Sequence, residues 1–458
     1  MRYSVLSGEE EKRIHEAALC LLEEVGLDVA RPSLVAKMKE HGFPTPAENR
    51  VLIPRAKIEE ALKGAPRRVH LGARAADKRA VLDGTRCYTA TDGCGSKTLD
   101  MDTDAVRPSS LADVAASARL ADGIEEYDVY WTMISAQDVD PATRVARGFL
   151  AALQNTVKPI QVIDACRGEE AETLALMARQ LESAGVMHGP PVSMLNSVVT
   201  PLRFDPDGTE AAMVFAREGL PVVCCSMPIG GVTAPATPAG TVTLAHAEVL
   251  AFLTLLQSFY PGCPLIYCPF PVLADPHTGT SNYWDPRNGW MSCASLQLGR
   301  STGLPCFGSG YLLSLVSVPD LSSGGGMLET TTVLSFEQLV IDAESVRNAR
   351  IGAASQDTDP DALAVDVVRK VGPGGHFLAQ RHTVEHMKSY PIKRFVGSGD
   401  AVDEKAGSGG ESPIRRVRSE ARSEARRIIE THHVEPLPAE LEAALLKIAE
   451  AQPQSAVA

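Results

Sequence analysis

From Ser109 onward the chain repeats one unit: a helical stretch, a turn, then a short apolar run. SSLADVAASARLAD leads through Gly123 to residues 129–134, a helix over 145–154 leads to PIQVIDA, and one over 169–184 leads to VSMLNSVV. Helices over 209–218, 238–259 and 290–301 lead in the same way to PVVCCSMPI, PLIYCPF and LPCFGSG. Strands that are apolar on both faces and separated by helices must be covered on both sides, which is the condition of a parallel sheet built from βα units. Six such strands are visible, and LVSVPDLSS or GGHFLAQ would supply others. Closure into a TIM-type α/β barrel over residues 109–397 is therefore expected. No G-x-G-x-x-G follows the first strand and no G-x-x-x-x-G-K-S/T occurs, which removes the sequence grounds for a nucleotide-binding open sheet.

The flanks read differently. Residues 1–108 begin with a capping-box pattern, Ser7 with Glu10, ahead of an apolar face made by Ile14, Ala18, Leu21, Leu22 and Val25. Further helices start near Pro32 and Pro54, and strand formers at 68–71 and 86–91 point to a small antiparallel element around TATDGCGSK. Residues 398–458 hold a charged helix over 414–431, an amphipathic helix after Pro438 and a frayed tail from Gln452. A glycine-, serine- and charge-rich surface excursion over 397–412 precedes them.

Charge and cysteine usage narrow the partners. With 57 acidic against 44 basic residues the formal charge is -13, which repels phosphate backbones, so no nucleic-acid partner is expected. The N-terminus MRYSVLSGEEEKR carries charge where a secretory signal needs an apolar run, and no uninterrupted apolar segment approaches membrane-spanning length. A cytoplasmic protein without a membrane partner is expected. Ten cysteines occur with no C-x-x-C pair, which favours reduced core thiols over disulfides or structural zinc.

In a βα barrel the loops that follow the strands converge on one mouth, so that rule selects candidates without a motif. The loop after PLIYCPF contains Asp275, His277, Tyr283, Trp284, Asp285 and Trp290. Aromatic residues are 5% of the chain, and two of its three tryptophans fall here. Such a concentration forms either a flat-walled pocket or a seal of Trp284 and Trp290 against the next helix. Aromatic faces attract quaternary ammonium groups with about 0.5–2 kcal/mol each. In SSGGGMLE, Gly324, Gly325 and Gly326 permit a sharp turn or a close backbone approach, and the carboxylate of Glu329 follows. A plain connection between packed elements is the alternative.

Three further features carry chemistry-bearing side chains. His382, Glu385 and His386 in HTVEH match H-x-x-E-H, which sets two histidines one helical turn apart, but no third ligand is identifiable and no metal is expected. Cys94 in DGCGS lacks a recognisable histidine partner and reads as a turn cysteine. His246 and Glu248 are polar residues in an apolar helix, where burial requires partners.

Taken in order, AREGLPVVCCSMPIGGVTAPATPAGTV, AHAEVLAFL, PGCPLIYCPF with DPHTG, GMLE, SFEQLVIDAE and VGPGGHFLAQRHT resemble the trimethylamine methyltransferase family. That family includes a branch that lacks pyrrolysine and acts on quaternary amines such as glycine betaine. The resemblance implies a βα barrel that passes a methyl group from a small methylated amine to the reduced cobalt of a corrinoid (cobalamin). The corrinoid is carried by a separate partner protein, and none is bound tightly by the chain itself; a homo-oligomer is expected. A methyl on a quaternary nitrogen is already activated, whereas a tertiary amine needs protonation or an electrophile, the role ascribed to pyrrolysine. No such residue occurs in this chain. On this view Tyr283, Trp284, Trp290 and Tyr311 surround the cation, Glu329 is a polar wall, and His382 or a nearby donor serves a carboxylate. Asp275, His277 and Gly324 to Gly326 line the mouth. Two departures stand out: GYLLSLVSVPDL shortens a connection that is longer in the family, and His246 replaces a small amide. Direct transfer to tetrahydrofolate, a metal-dependent barrel hydrolase using HTVEH and an inactive betaine-binding protein are the alternatives.

Overall fold

The computed structural model describes residues 4–93, 95–309, 319–354, 357–388 and 413–451. Eight short strands form its centre: β1 Tyr88–Thr89, β2 Tyr130–Trp131, β3 Ile160–Val162, β4 Ser193–Ser197, β5 Val222–Ser226, β6 Leu265–Pro269, β7 Phe307–Ser309 and β8 Leu321–Ser323. Strands β2 to β6 pair in parallel in chain order, and β7, β8 and β1 pair in parallel among themselves. Parallel bridges Ala90↔Val129 and Tyr267↔Cys306 join the two groups. The ring is closed, so the expected TIM-type barrel is the fold.

Helices alternate with the strands as the sequence pattern requires. Those before β2 to β7 are Leu111–Gly123, Arg144–Asn155, Gly168–Ser183, Pro206–Arg217, Pro238–Phe259 and Arg287–Thr302. Local chemistry sets their starts: Ser110 and Asp113 form a capping box, and Asp205 caps the fourth helix with Pro206 in its first turn. The capping box read at Ser7 and Glu10 is also formed.

Two strand expectations are corrected. The 86–91 segment is not an antiparallel element; its Tyr88–Thr89 core is the first parallel strand, hydrogen-bonded to β8. A two-residue strand carries too little alternation to declare its pairing direction. The antiparallel pair lies just beyond, between Lys97–Leu99 and Val106–Pro108. Of the two further candidates, LVSVPDLSS supplies β8, whereas residues 374–380 form no strand and are almost wholly exposed. Glycine and polar residues there leave too little apolar surface to bury.

The barrel interior is a distinct apolar cluster that includes Val129, Trp131, Leu195, Val223, Ile266 and Phe307. It is plugged at the amino ends of the strands by an antiparallel hairpin, Val69–Leu71 with Ala80–Leu82, whose apolar residues join the same cluster. The plug docks closely: Gly72 N–H donates to Pro190 O at 3.0 Å. A Cβ at Gly72 would stand 2.4 Å from the Gly189 backbone. With that end filled, the carboxyl ends of the strands form the open mouth.

Helix Pro238–Phe259 is the most deeply packed, against β5, β6 and the helices Gly8–Cys20 and Arg55–Gly64. By length and composition it would cross a membrane, longer than the sequence reading allowed, but its apolar window is 83% buried inside the fold. Its polar residues are partnered, as burial demands. His246 joins His15 at 2.9 Å and the Tyr267 hydroxyl at 2.8 Å. Glu248 accepts from Leu202 N–H at 2.7 Å and from the hydroxyls of Thr200 and Ser226. The helix Pro413–Thr431 packs on Phe336–Ala353 and Leu111–Gly123, with Arg422 donating to the buried Glu337 at 2.8 Å. Residues 397–412 and the tail from Gln452 lie outside the described residues.

Candidate active site

Three strand ends, those of β1, β2 and β8, are stitched together at the mouth. After β1, Thr91 Oγ1 donates to Trp131 O at 2.7 Å and accepts from Trp131 N–H at 2.9 Å, locking β1 to β2. Asp92 N–H donates to Gly325 O at 3.2 Å, tying the end of β1 to the turn after β8. That turn uses its glycines: Gly324 and Gly326 have φ of 138° and 86°, in the region that L side chains rarely adopt. Gly326 N–H donates to Asp342 Oδ2 at 2.9 Å, anchoring the turn to the following helix.

Two of the strand ends carry desolvated carboxylates. Asp92 follows β1 and Asp164 follows β3; both are half-buried, and loss of water pushes each carboxyl up to about 6. Burial likewise raises Asp342. The Asp92 carboxyl is further raised by Asp342, and Asp164 is partly offset by a Ser135 hydrogen bond and by Arg144. Desolvated anions of this kind gain when a cation enters beside them.

Inside the barrel, β2 and β3 carry buried polar atoms without partners among the described residues. The buried Trp131 indole N–H and both ends of the Gln161 amide have no hydrogen-bond partner among the described residues. These residues are paired in register on β2 and β3, so their side chains share one face. Trp131 packs edge-on to Phe307 at 5.6 Å, and Phe270 packs edge-on to the same ring at 5.4 Å. A buried unsatisfied donor costs about 1–3 kcal/mol, and such groups in a native fold call for an account, a bound polar ligand being one.

The residues singled out from sequence are dispersed. Tyr283 lies at the mouth: burial raises its phenol, and the charge of Asp92 raises it further, although the residue is 57% exposed. Trp284 projects into solvent, 95% exposed. Trp290 packs with Leu6, Leu273 and Met291, sealing the loop against its helix. Asp275 organises its own turn, accepting from His277 N–H at 2.7 Å and Thr278 N–H at 3.1 Å, and His277 is exposed. Glu329 is exposed at the tip of the Met327–Leu328/Val333–Leu334 hairpin, with φ of 46°. His382 lies on a short outlying helix, with Nε2 3.0 Å from Asp361 O. Tyr311 and Cys94 lie outside the described residues.

Sequence reasoning overlooked Asp92, Asp164, Trp131 and Gln161. A signal existed for two of them: Gln161 is the single polar residue within the apolar run 159–163, and Asp164 is the acid directly after it.

The trimethylamine methyltransferase (MTTB) family model matches residues 1–324 and 321–455, the two stretches meeting at the glycine turn. Glycine betaine methyltransferase of Desulfitobacterium hafniense (strain Y51) is 28% identical over 417 residues, covering 84% of this chain and 85% of that protein. Trimethylamine methyltransferase MttB of D. hafniense (strain DSM 10664 / DCB-2) is 26% identical over 466 residues, covering 97% and 93%. Among solved structures, the monomethylamine methyltransferase of Methanosarcina barkeri superposes with a TM-score of 0.54 at 12% identity, over 93% of this chain and 89% of that one, a likeness of fold. With the family model matched along nearly its whole length, the chain belongs to the trimethylamine methyltransferase family.

Proposed function

We propose that this chain moves a methyl group from a quaternary or N-methylated amine of the glycine betaine kind to the cobalt of a corrinoid held by a separate protein. The observation that supports the reading is that desolvated carboxylates follow β1 and β3 while β2 and β3 carry unpartnered polar edges inside the same barrel. A betaine needs both: anions beside its ammonium and hydrogen-bond donors for its carboxylate. Asp92 and Asp164 face the cation with the ring of Tyr283, while the Trp131 indole and the Gln161 amide donate to the carboxylate. Names of relatives that act on glycine betaine and trimethylamine support methyl transfer from a methylated amine.

Catalysis on this reading is chiefly orientation. Binding fixes one N-methyl carbon outward, in line for displacement, and holding reactants in line supplies much of a barrier reduction. The quaternary nitrogen leaves as a neutral amine, so the chain needs no general base. The partner's reduced cobalt supplies the nucleophile and accepts the methyl. Exposed Val199, Met227, Val232 and Trp284, on the loops after β4, β5 and β6, form an apolar rim suited to a docking protein. Incubation with glycine betaine and free cob(I)alamin tests the reading: methylcobalamin and dimethylglycine should form together. Betaine binding without either product would leave a binding protein instead.

A further inference from the structure

Residues 357–388 form an outlying module of three short helices, Pro360–Leu363, Val365–Val371 and Arg381–Met387, none of which contains a buried residue. Leu363, Val368, Leu378 and Val384 are all more than half exposed, so the module has no apolar core of its own. A segment this small normally needs a staple, either a disulfide or a metal. Its chain nevertheless folds back to bring the first helix against the last. Asp361 of the first meets His382 and His386 of the last, with one ligand atom from each within 4.8 Å of the others. His386 Nε2 lies 3.3 Å from Asp361 Oδ2, and the two imidazoles lie tilted at 34° with centroids 4.0 Å apart.

We propose that Asp361, His382 and His386 form a structural site for a divalent transition metal, zinc being the natural occupant. Two imidazoles and a carboxylate are a borderline donor set suited to zinc, and water completes a tetrahedron. The helical i, i+4 spacing sets the two imidazoles on one face, and Asp361 is the third ligand that the sequence alone did not reveal. Zinc bonds of about 2.0–2.1 Å require the three groups to draw together by roughly 1 Å. That contraction tightens the module. The site is built for structure rather than hydrolysis. Glu385, which H-x-x-E-H chemistry would use as a base, is bound to Arg381 at 2.7 Å. The cluster also sits on the exposed module, whereas the barrel mouth is built from other loops.

The test uses the full-length protein stripped with a chelator and titrated with zinc. One equivalent should bind, and limited proteolysis within 357–388 should slow on zinc addition. The double variant His382→Ala/His386→Ala should lose that equivalent and the protection. These side chains have no buried role, and circular dichroism would verify that the variant is folded. Cobalt(II) substitution gives a second readout, a spectrum without thiolate charge transfer. Failure of the native chain to bind zinc, or an equivalent that survives in the double variant, would overturn the assignment.

Discussion

The backbone N–H of Asp92, at the end of the first barrel strand, donates to the carbonyl of Gly325 after the eighth at 3.2 Å. This bond closes the seam of the barrel at its open end and holds the Asp92 carboxyl beside the glycine turn. Strand order therefore brings residues 233 positions apart into one rim.

Asp92 is costly to the empty protein. Its folded pKa of about 6 lies above the unfolded value near 3.8, so the folded state holds the extra proton in that window, and stability falls as pH rises through it. Asp92→Asn should stabilise the protein at pH 7 by about 2 kcal/mol in urea unfolding, with the gain vanishing below about pH 4. An equal gain at both pH values would show that charge is not the cause.

The same carboxylates should tie ligand binding to pH. A cation favours their ionised forms, so affinity for glycine betaine should rise as pH rises through about 6, where Asp92 and Asp164 titrate. Going from pH 7 to pH 5 should weaken binding about tenfold per carboxylate engaged, measured by calorimetry without cobalamin. A flat profile would remove both acids from the site.

Trp131 isolates the donor. Trp131→Phe keeps an aromatic in the barrel wall but removes the unpartnered indole N–H. Urea unfolding should change little, while affinity for a betaine falls about tenfold or more and that for tetramethylammonium, which has no carboxylate, does not. Equal losses for both ligands would point to packing.

The glycine turn has a steric test. A Cβ at Gly326 would lie 2.6 Å from Met133 Cε and 2.9 Å from Leu339 Cδ1, on a backbone with φ of 86°. Gly326→Ala should destabilise by roughly 2–4 kcal/mol, from clash and positive φ together. A neutral change in urea unfolding would mean that the turn is free to move.

The barrel was legible because βα units write themselves twice, as apolar runs and as amphipathic helices between them. Strand β1 was not, because Tyr88–Thr89 is too short to carry a pattern and is recognisable only from its neighbours. The mouth was legible as a place but not as a residue set. Tyr283 was found from its loop, whereas Trp290 shows that an aromatic near the mouth can serve as packing. Asp92 is set next to Thr91, which bonds Trp131 across strands separated by about forty residues, information held in tertiary closure. HTVEH was visible, but Asp361 is distant in sequence and entered only with the fold.

The central claim is tested most directly by supplying the protein with cob(I)alamin and a panel of N-methylated compounds, following methylcobalamin by absorbance. Glycine betaine or a related quaternary amine should yield methylcobalamin with one demethylated product per methyl, and trimethylamine should not. Methylcobalamin from trimethylamine with none from any quaternary amine would contradict the account.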